Sequence, residues 1–186
     1  SRFLIDDFAV AVSPALSLTD PQPLGRRRNV QLLAAGLSQS RENFAPLPNV
    51  PAELDAIWAA LPTVTVDEIL GNWKGGELPS GHKMDGLLAS VNWHGKWFKT
   101  PYDVAPMVCR NADGELYSNT EIGKGEASLW MVEFRGESTA SMVYDGQPVI
   151  DHFKRVDDDT LMGIMNGKTS LVRDKHFYFY LQRDDA

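Results

Sequence analysis

Apolar and polar residues alternate in short runs through the second half of the chain, and each run ends at a turn signal. Leu129 to Arg135 stops at Gly136, Ser138 to Tyr144 at Asp145-Gly146, and Val149 to Arg155 before the acidic stretch Asp157-Asp158-Asp159. Thr160 to Met165 ends at Asn166-Gly167, a dipeptide suited to a two-residue hairpin because both residues tolerate positive φ. Phe177 to Leu181 follows, and Pro106 to Arg110 and Glu115 to Asn119 flank a further turn at Asp113-Gly114. Short strands separated by such signals predict a meandering antiparallel sheet, and consecutive hairpins can remove both exposed edges by closing into a barrel. One helix is expected over Gly81 to Ser90, capped by Ser80, with Met84, Leu87, Leu88 and Val91 at helical spacing. Lying across a barrel mouth, it would be plain cover or a lid.

The first half has another rhythm. Phe3 to Val12 reads as a strand broken at Ser13-Pro14, and Val30 to Ala35 as a second buried-strand candidate after a Pro-rich connection. Pro51-Ala52-Glu53-Leu54 opens a helix, with Pro in its first turn, acid near its positive end, and Leu54, Ile57 and Trp58 on one stripe. Two units follow: a small α/β-like extension over residues 1–57 and a mainly β unit over 58–186. The extension's apolar edges need cover from the second unit or another chain, so a homo-oligomer formed through it is one expectation.

Composition narrows the classes of function. With 186 residues, 43% of them hydrophobic, the chain can build a core without disulfides or metal. Net charge is −7, and Arg26-Arg27-Arg28 is the one basic run, which argues against a nucleic-acid partner. No apolar run approaches the ~20 residues of a membrane-spanning helix, so stable membrane insertion is not expected. A single cysteine, Cys109, cannot form an internal disulfide, which suits a reducing compartment and a cytoplasmic location. The four histidines lack metal-ligand spacing, and no P-loop, dinucleotide fingerprint or nucleophile elbow is present, so neither metal nor cofactor is implied.

Longer motifs point to a family. Gly71-Asn72-Trp73-Lys74-Gly75 is followed by Leu78-Pro79-Ser80-Gly81-His82, Leu87-Leu88, Trp93, Gly95-Lys96 and Phe98. Further on come Gly125 to Leu129, Val132 to Gly136, Met142 to Phe153 and Val156-Asp157. In this order they resemble a small bacterial domain pair, GXWXG followed by DUF4334, over about residues 59–186. The resemblance implies a calycin- or lipocalin-like antiparallel β-barrel, with Trp73 closing one end and an interior that carries a hydrophobic or amphiphilic molecule of the fatty-acid or phospholipid type. Residues 2–57 resemble part of a CHAT domain, a caspase-like protease module, but stop short of the His-Gly and Cys such proteases use, so no catalytic residue carries over.

Polar residues inside these motifs are the candidate ligand-binding set. If Arg135, Tyr144 and His152 point inward, they form a polar patch able to fix a carboxylate or phosphate head group, with Met142 and other Met and Phe side chains along the tail. His82 and Trp73 complete the set. The alternatives are that Arg135 pairs outside with Glu133 or Glu137, that His152 and His82 are structural, and that the Met and aromatic residues simply fill the core. Acid–base catalysis by Asp151, His152 and Tyr144 on a hydrophobic small molecule is the enzyme reading, and a filled interaction module is the third.

Overall fold

A computed structural model of the chain describes residues 51–168 and 175–184. The expected strands at Phe3–Val12 and Val30–Ala35, and most of the CHAT-like segment, lie outside these residues. The described part is a nine-stranded antiparallel sheet with four short helices. In chain order these are α1 (Pro51–Ala60), α2 (Val66–Ile69), β1 (Gly71–Leu78), α3 (Leu87–Ser90), β2 (Trp93–Thr100), β3 (Asp103–Arg110), β4 (Leu116–Ser118) and α4 (Thr120–Gly123). Then follow β5 (Ala127–Phe134), β6 (Glu137–Tyr144), β7 (Val149–Arg155), β8 (Thr160–Gly167) and β9 (Phe177–Arg183).

The sheet closes. Pairing runs β2-β1-β9-β8-β7-β6-β5-β3, and β2 also pairs with β3, so these strands form a ring while β4 hangs from the outside edge of β3. The β5–β6 hairpin is in register along its whole length, from Ala127↔Tyr144 to Phe134↔Glu137, whereas β3 and β5 meet at the one pair Val104↔Ala127. Closure satisfies the backbone groups that an open sheet would leave at its edges.

Two apolar clusters stabilise the ring from its two sides. Inside it, Trp73, Phe98, Met142, Phe153, Phe179 and Leu181 are buried against one another. Outside, α1 lays Leu54, Ile57 and Trp58 over Met162, Ile164 and Tyr178 of β8 and β9. The helix therefore runs across the expected unit boundary at residue 57 and packs onto the barrel wall. Alternation along β8 and β9 sends one set of side chains inward and the other under α1.

Local details depart from the sequence expectations in four places. The helix expected over Gly81–Ser90 is only the single turn α3, because Gly86 takes a left-handed φ of 89° and residues 83–86 form turns. Asn166-Gly167 is not a tight hairpin: β8 continues through it, with Asn166 paired to Ile150 and Gly167 to Val149. Arg135 is not strand. Arg135 and Gly136 both have positive φ, 53° and 80°, as the two-residue turn between β5 and β6 requires, so the alternation ends at Phe134. Among the aromatic and methionine residues expected to fill or line the barrel, Trp130 and Met131 are instead about half exposed.

Candidate functional site

The interior is not filled to the end where β1 gives way to β2. A cavity of about 140 Å³ opens there, walled by Trp93, Met107, Met165, Phe177 and Phe179 and covered by Met84, Leu87 and Leu88 from the 79–90 segment. Most of its lining is apolar. The polar lining residues are Gln147 and a group of three that meet, Lys96, Tyr144 and Asp151.

Lys96 Nζ lies 3.0 Å from Asp151 Oδ2, and both side chains are 3% exposed. The ammonium also donates to the Pro106 carbonyl at 3.2 Å and to the Tyr144 hydroxyl at 3.3 Å. Tyr144 in turn donates to Asp151 Oδ2 at 3.3 Å. The rings of Phe179, Trp93 and Tyr144 surround Nζ at 5.1, 5.5 and 5.6 Å, a cage that favours a cation. Asp151 Oδ1 is buried without a hydrogen-bond partner. Such an atom costs about 1–3 kcal/mol, and orphaned groups of this kind mark sites whose partner arrives from outside the protein or whose strain is used.

Burial in this apolar setting works against charge. It pushes Asp151 up from the ordinary carboxylate range, although Lys96 and Tyr144 pull the other way. Burial likewise brings Lys96 down, opposed by Asp151. Tyr144 is raised well above its usual value, first by burial and then by the neighbouring carboxylate. The two members of the ion pair are thus drawn toward each other, which lowers the cost of passing a proton between them.

The glycine-tryptophan motif builds this end of the barrel. Trp73 is 1% exposed, and its Nε1 donates to the Ile69 carbonyl at 2.8 Å while the Arg183 guanidinium sits over its ring at 4.1 Å. It sits in the inner core and is not a wall of the cavity. Gly75 has a direct part: the Trp93 indole lies on its Cα, where an added Cβ would collide with the ring and with the Tyr180 carbonyl. A glycine at 75 is what lets Trp93 stand as a cavity wall.

Of the other expected ligand-binding residues, only Tyr144 lines the cavity, together with Asp151 of the acid–base reading. Met142 is fully buried in the inner cluster and pairs in register with Asp151. His82 is buried in the 79–90 segment, where its Nδ1 accepts the Met84 N–H at 3.1 Å and its ring meets Phe177 edge-on. That holds the cover in place. Arg135 and His152 lie on the other side of the wall. Arg135, carried off by the turn, bonds Asp55 of α1 at 2.8 Å, not Glu133 or Glu137. His152 is out of phase with Asp151 and stacks on Phe134 at 4.1 Å. Asn166 Nδ2 lies 3.3 Å from its Nε2, its Nδ1 lies 2.7 Å from Ser141 Oγ, and Ser141 donates to Thr139 O. That chain suits a neutral ring with the proton on Nδ1. Burial, then His176 and Arg135, bring its pKa down to about 4. The inward patch of Arg135, Tyr144 and His152 is therefore not formed. Lys96 takes the place expected of Arg135, and the sequence carries a signal for it: Lys96 alternates in phase with buried Phe98.

Fold and site together define a closed antiparallel barrel with a polar triad set in a small apolar cavity. The chain belongs to the family that joins a GXWXG unit to a DUF4334 unit: residues 56–114 match the family described as GXWXG protein and residues 125–183 that described as domain of unknown function (DUF4334). A protein from Thermomonospora curvata, known from its crystal structure, is 36% identical, with a TM-score of 0.74 over 83% of this chain and 97% of that one. No curated protein matches the chain. Among the described residues, no helix is long and apolar enough to cross a membrane, and no cluster of His, Cys, Asp and Glu is placed to hold a metal ion.

Proposed function

We propose that the barrel binds a compact, largely apolar small molecule carrying one polar group, with the apolar body against Trp93, Phe179 and Met165 and the polar group at Lys96, Asp151 and Tyr144. The carrying observation is a buried, hydrogen-bonded ion pair at the wall of a mostly apolar cavity. Such cavities with a few convergent polar groups are where small molecules are recognised. Size selects among guests. An apolar cavity of roughly 150 Å³ accommodates benzene, and this one is about 140 Å³. That favours a guest of one ring or a short branched chain over the fatty acid or phospholipid that the family resemblance suggests. Charge points the same way, because the buried carboxylate of Asp151 opposes a second carboxylate beside it while its free oxygen accepts an O–H or N–H.

Calorimetric titration with benzyl alcohol, cyclohexanol and palmitate tests this. The two neutral compounds should bind, and Leu88→Trp, which fills the covered mouth, should abolish their binding. Palmitate binding that survives Leu88→Trp while both alcohols fail to bind would overturn the reading.

A second reading, proton transfer on the bound molecule, is favoured by the raised pKa of Asp151 beside its own unpartnered oxygen. Groups tuned in this direction serve as general bases near neutral pH. In this reading Asp151 and Tyr144 would act, and His152, on the far side of the wall, would not.

A further inference from the structure

We infer that Lys96 is a carbonyl-capturing amine, and that the barrel takes small apolar aldehydes or ketones as imines on its Nζ. This rests on the cavity reading above and names the chemical class of guest within it. The groups around Nζ — Asp151, Tyr144, Trp93 and Phe179 — all line the cavity as Lys96 does, so the nitrogen sits at the wall a guest would touch. An amine becomes a nucleophile only without its extra proton: burial in an apolar pocket drives the proton off, and a neighbouring acceptor, although its charge favours the ammonium, gives that proton somewhere to go. Asp151 Oδ2, at 3.0 Å, is that acceptor.

The step balances. Lys96 passes one ammonium proton to Asp151, and the freed nitrogen lone pair forms a bond to the carbonyl carbon. The carbonyl π pair moves to oxygen, which takes a second proton from nitrogen and gives a carbinolamine. Asp151 then returns its proton to the hydroxyl, the C–O bond breaks, and water leaves. A protonated imine remains beside a carboxylate. One cation and one anion stand in the same places before and after, so the low-dielectric site never holds an isolated charge. The ring cage that surrounds the ammonium surrounds the iminium as well. Tyr144, hydrogen-bonded to both partners, positions the carboxylate for the two transfers.

The test is reductive trapping on the intact protein. Benzaldehyde or cyclohexanone is added with sodium cyanoborohydride at neutral pH, and the modified lysines are mapped by peptide mass spectrometry. Lys99, whose side chain is 57% exposed, is the internal reference, so no variant needs to fold. Lys96 should be alkylated at least about tenfold faster than Lys99, and excess benzyl alcohol or cyclohexanol should suppress Lys96 alone. Asp151→Asn should slow capture at Lys96 and leave Lys99 unchanged. Labelling of Lys96 no faster than Lys99 would overturn the inference. If the two alcohols still bind calorimetrically in that case, the cavity reading stands without the covalent step; if they do not, both fall.

Discussion

Lys96 Nζ and Asp151 Oδ2 lie 3.0 Å apart inside the barrel, on strands β2 and β7 that share no hydrogen bond. Their contact crosses the interior. It ties opposite walls of the ring together at the point where apolar packing gives way to the cavity, so it bears on both stability and recognition.

The pair should behave as a unit. Removing one member of a buried ion pair typically costs about 3–5 kcal/mol, because the other charge is stranded, whereas replacing both by apolar residues is often close to neutral. Lys96→Met and Asp151→Leu should each lower the urea midpoint strongly, and the double variant should recover much of the loss. A double variant as unstable as the sum of the two singles would show that they do not interact.

Gly75→Ala should reach the cavity through Trp93. The added methyl meets the indole and the Tyr180 carbonyl, an overpacking that costs roughly 1–3 kcal/mol. Binding of benzyl alcohol should weaken along with stability, and Trp93→Leu should restore part of the stability by making room. No change in either property would show that the second glycine of the motif does not shape the cavity wall.

Much of the barrel is legible in the sequence, and the reason is local. Turn signals and period-two alternation lie within each hairpin, so β5 to β7 are visible in the order of residues alone. The failures are places where one residue's backbone decides the phase. Arg135 reads as the last residue of a strand in phase with Met131 and Glu133, but its positive φ turns it out to Asp55. Gly86 does the same to the expected helix. At the site, the opposite phases of Asp151 and His152 are legible, but which of them faces inward is not, since both faces of β7 are buried, one by the core and one by Phe134 and α1. Lys96 escapes a reading of the sequence because a lysine on a strand is ordinarily exposed.

Arg135→Ala should leave the cavity alone. The side chain is about one-third exposed, and its partner Asp55 about half, so the lost ion pair is worth at most about 1 kcal/mol. Benzyl alcohol affinity should be unchanged, while amide exchange in α1 should rise. Reduced affinity would put Arg135 back among the binding residues.

His152 should make the protein less stable in mild acid. Its folded pKa is about 4, against 6.5 when unperturbed, so the unfolded chain binds more protons between these values. The contribution of the neutral ring is therefore complete above about pH 6.5 and is lost as pH falls toward 4. Following the imidazole by NMR should place its midpoint near the lower value, with a falling urea midpoint across the same window. A midpoint near 6.5 would show that the ring is not held neutral by its burial beside His176 and Arg135.

The central claim, a small guest inside the barrel, is tested most directly by a crystal structure of the protein soaked with 4-iodobenzyl alcohol. The iodine's anomalous signal should lie between Trp93, Phe179 and Met165, with the hydroxyl at hydrogen-bond distance from Asp151, and both should vanish in Leu88→Trp. Iodine found only on the protein surface, with the cavity unchanged, would contradict it.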